Sequence, residues 1–245
     1  RFEHTPFGTG RPFSRAQLNE LLRDASFTPA AWSEALFFPP TRRRWLLRSA
    51  AGRPEEMQIM YGLAGERRIP EMELGWLAGY ENSRPVRIGN GASHQLQLDV
   101  FGEVMDAAHV GRTFGIGPHQ ANWDLQRALL DHLETVWTQP DEGIWEVRGP
   151  RRQFTHSKIM AWVAFDRGVK AVEEFGLQGP ADRWRRIRDE IHDQVCREGF
   201  DRQRNSFVQY FGGQELDASL LMIPLVGFLP ATDPRMVGTV AAIEK

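Results

Sequence analysis

The stretch Pro140-Asp141-Glu142-Gly143-Ile144-Trp145-Glu146-Val147-Arg148-Gly149 holds three carboxylates, an indole and a guanidinium within ten residues. Gly143 and Gly149 give its backbone places to turn. A Trp beside a carboxyl group can do two things. Its flat apolar face can stack on a sugar ring, and its bulk can dry the neighbouring acid and raise that acid's pKa. A Glu held protonated near neutrality is what cleavage of a glycosidic bond requires of its general acid. The same spacing also suits a polar turn between two helices, with Trp145 closing off a core. On these residues alone both readings stand.

Other candidates lie in separate segments. Residues 79–91 mix polar groups with glycines, and Arg84 before Pro85 is expected in an extended conformation, because proline disfavours a helical residue ahead of it. The Arg84 guanidinium could hold vicinal hydroxyls, pair with a carboxylate, or tie down its own loop. Arg23 and Asp24 form an adjacent pair near the first helix, an arrangement common on any surface. Phe154-Thr155-His156-Ser157-Lys158 opens an apolar helix. If its start faces a site, His156 or Lys158 could touch substrate; capping and packing is the alternative. Competing chemistries find little support. The seven histidines show no metal-ligand rhythm. No nucleophile elbow or Walker loop occurs, and no strand is expected ahead of Gly89-Asn90-Gly91 to make it a phosphate fingerprint.

Helical periodicity supplies the elements that must carry these residues. Trp184, Ile187, Ile191 and Val195 recur at three- and four-residue steps, as do Leu125, Leu129, Leu133 and Val136. Ile159, Met160, Trp162, Val163, Phe165 and Val169 predict a helix apolar over a wider arc and so more buried. Further helices are predicted over 93–110, 15–27, 41–51, 216–228 and 234–245, the last with Asp233 as cap and Pro234 in the first turn. Strand-like alternation is scarce, so the chain reads as all-α, about eight helices in a single domain over 1–245. Antiparallel helices reverse direction at each turn, so every second connection emerges at the same end. The loops over 80–92, 138–153 and 199–215 are therefore expected to share one face.

Composition narrows the partners. A net charge of -2 gives no electrostatic reason to expect nucleic acid or an anionic membrane. The lone cysteine, Cys196, excludes an intramolecular disulfide. No apolar run approaches the roughly 20 residues that span a bilayer, and a cytoplasmic location is the default. No ligand set calls for a metal or other cofactor.

Several long segments resemble bacterial family-15 glycoside hydrolases, the glucoamylase- and trehalase-like enzymes built on an (α/α)6 barrel. They are Gln58-Ile59-Met60-Tyr61-Gly62, Trp76 to Tyr80 with Ser83 to Arg87, Asp141 to Gly149, Phe154 to Lys158 with Met160-Ala161-Trp162, and Leu216 to Leu221. The similarity runs in order from about Arg44 to Lys245. It implies inverting hydrolysis of an α-glucoside or glucan, with Glu146 of the Trp145-Glu146 pair as general acid. It places the family's Arg-Asp sugar contact on Arg23 and Asp24, and its second substrate loop on Arg84 and Pro85.

The resemblance has two departures. Leu21 stands where the family usually has Trp, and Arg1 to Glu20 do not resemble its upstream stretch. The family's general base lies in a segment later than Lys245. The resemblance therefore implies a partial (α/α)6 barrel whose open edge is covered by self-association, as a homodimer, or by a rearranged N-terminal region. Three readings follow: a hydrolase using Glu146, a catalytically impaired carbohydrate-binding or assembly remnant, and a remodelled fragment with esterase-type activity.

Overall fold

The computed structural model describes residues 54–61, 66–115 and 120–244. The predicted helices over 15–27 and 41–51, the segment 1–20, and Arg23 and Asp24 lie outside them. Four long helices form the frame: α1 (Asp99–Thr113), α2 (Gln120–Val136), α3 (Thr155–Glu173) and α4 (Ala181–Glu198). Two shorter ones follow, α5 (Met222–Leu225) and α6 (Pro234–Ile243). Among the described residues, strand is confined to two antiparallel pairs of two residues each. β1 (Met72–Glu73) pairs with β2 (Arg87–Ile88), and β3 (Phe200–Asp201) with β4 (Ser206–Phe207). The all-α expectation holds for the described residues.

α3 is the central element. Nearly every residue from Thr155 to Ala171 is buried, as its wide apolar arc predicts, and the helix packs most heavily against α1 and α4. α4 shows the opposite pattern. Its buried residues are Trp184, Ile187, Ile191 and Val195, one stripe on an otherwise charged helix. Each fully buried side chain of this size stabilises the fold by about 1.5–3 kcal/mol through removal from water. The α1–α3 contact is closer than side chains would allow. A Cβ at Gly102 would sit 2.3 Å from the Met160 carbonyl oxygen, so the two backbones meet there directly.

Two predicted helices take different forms, each for a local reason. The helix expected from residue 93 starts at Asp99. Ahead of it, Asn90 caps a short 3-10 turn, Gly91–His94, by accepting the Ala92 N–H at 2.8 Å. The backbone of 95–98 then serves another segment: Leu96 O accepts from Glu142 N, and Leu98 N donates to Asp141 Oδ2 at 2.9 Å. The helix expected over 216–228 becomes a 3-10 turn, Ala218–Leu221, followed by the single turn α5. Gly227 at φ +82° then breaks the path. α6 starts as predicted, with Asp233 accepting the Arg235 N–H and Pro234 in the first turn.

Candidate functional site

The loop between α2 and α3 is pinned at its base by a backbone bridge, in which Asp141 and Arg152 exchange hydrogen bonds of 3.0 and 2.9 Å. Inside that bridge the chain turns tightly. Glu146 N donates to Gly143 O at 3.1 Å and Val147 N to Glu142 O. Gly143 adopts φ +70°, and a Cβ there would run into the Phe154 ring at 2.8 Å, so glycine is required on both counts. Glu146 itself sits at φ +53°. A non-glycine residue in this left-handed region carries a conformational cost that the surrounding contacts must offset.

Those contacts come from the segment before α1. Asn90 Nδ2 donates to Glu146 Oε2 at 3.2 Å. The orientation of that amide is fixed, because Asn90 Oδ1 is occupied by the Ala92 N–H. Gln95 Nε2 donates to Val147 O at 3.3 Å. Arg148 Nη1 donates to Glu71 Oε1 at 3.0 Å, and this guanidinium, with the Gly91 N–H, holds the Glu71 carboxyl down at about 2. Glu146 is thereby half-buried rather than free in solvent.

The third loop meets the same face. Thr155 N donates to Gln209 O and Phe211 N to Gln153 O, and the Arg152 guanidinium lies 4.1 Å from the Tyr210 ring centroid. Trp145 Nε1 donates to Asp217, at 3.0 Å from Oδ1 and 2.9 Å from Oδ2. Gln209 Nε2 and Ser219 N also donate to Asp217, at 3.0 and 2.8 Å. Burial pushes this carboxyl up, but its three donors outweigh burial and leave it below the ordinary carboxylate value. The loops holding Asn90, Glu146 and Asp217 thus do share one face, as the alternation of connections implied.

The remaining candidates separate. His156 is buried at the start of α3 and Nδ1 has no hydrogen-bond partner among the described residues. Burial takes its pKa down to about 4, against a smaller opposing effect of Asp217, so the imidazole is neutral. Lys158 is 1% exposed, and its ammonium donates to the carbonyls of Trp137 and Gln139 just past α2. This is the geometry of a clamp on a helix end, the packing alternative for that residue. Arg84 is exposed and donates to Gly75 O at 3.2 Å, closing its own loop. Trp145 leaves its ring 57% exposed with its polar edge on Asp217, so it does not lie buried over the acid. A cavity of about 530 Å³ lined by Gln58, Arg67, Ser93, His94, Gln95 and Arg151 borders this region, but Trp145 and Glu146 are not in its walls.

Asn90, Gln209 and Asp217 were not singled out from sequence, although Asp217 lies within the family-like segment 216–221. A lone polar residue in a loop carries no periodic signal, and the partner of Asp217 is 72 residues away.

Comparison with known proteins decides the family, since the pattern described as Glycosyl hydrolases family 15 matches residues 22–245. The chain belongs to that family. Trehalase of Mycolicibacterium smegmatis is 45% identical over 192 residues, covering 78% of this chain and 29% of that protein. Trehalase of Mycobacterium tuberculosis is 44% identical over 187 residues, 76% of this chain and 27% of that protein. Trehalase of Thermoplasma acidophilum is 41% identical over 192 residues, 78% and 33% respectively. The family-15 chain therefore spans about a third or less of the length of these relatives. Solved structures of a glycosidase, the wild type and a variant in complex with glucose, superpose with a TM-score of 0.54 at 17% identity. They cover 82% of this chain and 50% of theirs. The family-15 fold here is all-α, part of an (α/α)6 barrel. No helix among the described residues is long and apolar enough to cross a membrane.

Proposed function

We propose that this chain carries the acid side of an inverting glycoside hydrolase site of the trehalase type, with Glu146 as general acid. The observation that carries the reading is the strained turn that holds the half-buried Glu146 against Asn90, beside a solvent-facing indole, within a family-15 match. The trehalase names of the relatives favour trehalose over longer glucans as substrate. Asn90 Nδ2 lies nearer to Oε2 of Glu146, at 3.2 Å, than to Oε1, at 3.5 Å, and the transferable proton is assigned to the more weakly held Oε1. That proton passes to the oxygen bridging the two glucose units as its bond to the anomeric carbon breaks. Water adds to this carbon from the opposite face and gives up a proton to a second carboxylate. Trehalose and water thus give two glucose molecules, one released as the β anomer. The resemblance assigns the second carboxylate to a later segment of the family, and no described residue is given that role.

Proton NMR of the products on trehalose, maltose and starch tests this. With the family's later, second-carboxylate segment also supplied, β-glucose is expected first, and Glu146→Gln should lower kcat by on the order of 10²–10⁴-fold. Sugar binding without glucose release, or ester hydrolysis indifferent to Glu146→Gln, overturns it. The expected homodimer and cytoplasmic location belong to the same reading. Leu225, 76% exposed, and Val237 offer apolar surface for self-association, which size-exclusion chromatography and cell fractionation check.

A further inference from the structure

Trp145 combines features that seldom occur together. A large apolar ring remains mostly in solvent, yet its one polar atom is held by both oxygens of a carboxylate that is itself 7% exposed. An exposed indole without such a tether can rotate about two side-chain torsions and lie down on neighbouring apolar surface, which removes its face from use. The tether is rigid in its turn. Asp217 caps the 3-10 turn Ala218–Leu221 through the Ser219 N–H and receives the Gln209 amide on Oδ2. Gln209 is fixed to the start of α3 through its own carbonyl, which accepts from Thr155 N. The indole is thus anchored to the helical frame and not to the loop that bears it.

Resting on the hydrolase reading, we propose that Asp217 is a positioning residue that latches the Trp145 indole upright as a preformed stacking platform for the sugar ring next to Glu146. Aromatic faces bind the C–H surface of sugars, and a platform set before binding avoids the cost of ordering it in the complex. Asp217 touches no substrate. It acts through Trp145, so its removal should weaken binding more than it slows the bond-breaking step.

The test uses the full chain with 5-fluorotryptophan incorporated, the residue-145 signal being assigned by its loss in Trp145→Phe. Fluorine NMR of this signal is followed with trehalose titrated in, and KM and kcat are measured in parallel. In the parent protein a single narrow signal that shifts with trehalose is expected. Asp217→Ala should broaden or move it without sugar, weaken trehalose binding about tenfold, as loss of a hydrogen bond to a charged group does, and leave kcat within about threefold. Asp217→Asn keeps one acceptor oxygen and should stay within about threefold of the parent on both readouts, which a merely structural need for charge would not predict. Should Asp217→Ala fail to fold, Trp145→Phe serves, since it removes the N–H and leaves Asp217 its other donors. It should weaken trehalose binding by calorimetry, with Asp217→Asn adding less than about twofold to it. An unchanged fluorine signal in Asp217→Ala, or independent multiplying effects in the double variant, overturns the latch. Tight trehalose binding with a responsive signal but no glucose release sinks the hydrolase reading and leaves the latch standing.

Discussion

Asp99 at the start of α1 and Asp217 beneath the acid loop are almost equally buried, 5% and 7% exposed, yet their carboxyl groups go opposite ways. Burial drives Asp99 up to about 7, with the nearby buried Asp141 adding to the effect, and its Oδ1 has no hydrogen-bond partner among the described residues. Asp217 meets the same dehydration with three donors, from Trp145, Gln209 and Ser219, and ends below its ordinary value. Depth alone therefore does not decide the charge of a carboxyl group in this molecule. The N–H groups aimed at it count beside depth: Asp141, 0% exposed in the acid loop, is pushed up by burial even though Leu98 N donates to it, whereas Asp217 with its three donors is not.

The comparison breaks most visibly at Asp99. A rise from 3.8 to about 7 corresponds to about 4 kcal/mol at most. Between these values the folded chain holds a proton that the unfolded chain has released. The associated stability is full below about pH 4 and is lost as pH rises towards 7. Asp99→Asn keeps the shape and removes the titration. In urea unfolding it should match the parent near pH 4 and exceed it by several kcal/mol at pH 8, and parallel curves across that range would refute the raised value.

Removing a single donor from Asp217 sharpens the contrast with the opposite sign. Gln209→Leu takes away the 3.0 Å amide contact and should cost about 1–2 kcal/mol at pH 7. A depressed carboxyl gives stability that is present above its unfolded value and lost as pH falls through its folded value. The deficit of Gln209→Leu should accordingly shrink on acidification, whereas that of the Asp99 pair grows on alkalinisation. His156, also depressed by burial, loses stability below about pH 6.5 in both proteins, so the difference between the two melting curves is the quantity to follow. A deficit that stays constant down to pH 3 would mean Gln209 matters for packing alone.

What could be read without coordinates follows the same division between periodic and solitary residues. The stripe Trp184, Ile187, Ile191 and Val195 and the wide arc of α3 repeat their signal every turn, and every member named is buried. The meeting of the loops with Asn90, Glu146 and Asp217 was legible from helix reversal alone. The shortened α5 was not, because Leu220 to Leu225 has an apolar pattern that suits a helix of any length, and the Asp217 cap with Gly227 sets the ends. Nor was Asp99, since an acid in the first turn of a helix is ordinarily solvated, and only the fold brings Asp141 against it. The Trp145-Glu146 pair stood out by composition, but its true companions did not, since Asn90 and Asp217 are defined by contacts 56 and 72 residues away in sequence.

A third carboxylate tests whether donors alone suffice. Glu134 on α2 is partly exposed and receives the Arg183 Nε at 2.7 Å, with Asp131 sharing the same guanidinium at 3.3 Å. By donor geometry it resembles Asp217, but water competes for every one of its contacts, and ordering two long side chains offsets the Coulomb gain. Glu134→Gln should therefore change stability by less than about 1 kcal/mol, and the change should fade in 1 M salt. A loss as large as that of Gln209→Leu would mean that donor count outweighs burial everywhere in this protein. A small one confines the rule to buried sites, where an N–H pointed at a carboxylate has no solvent rival.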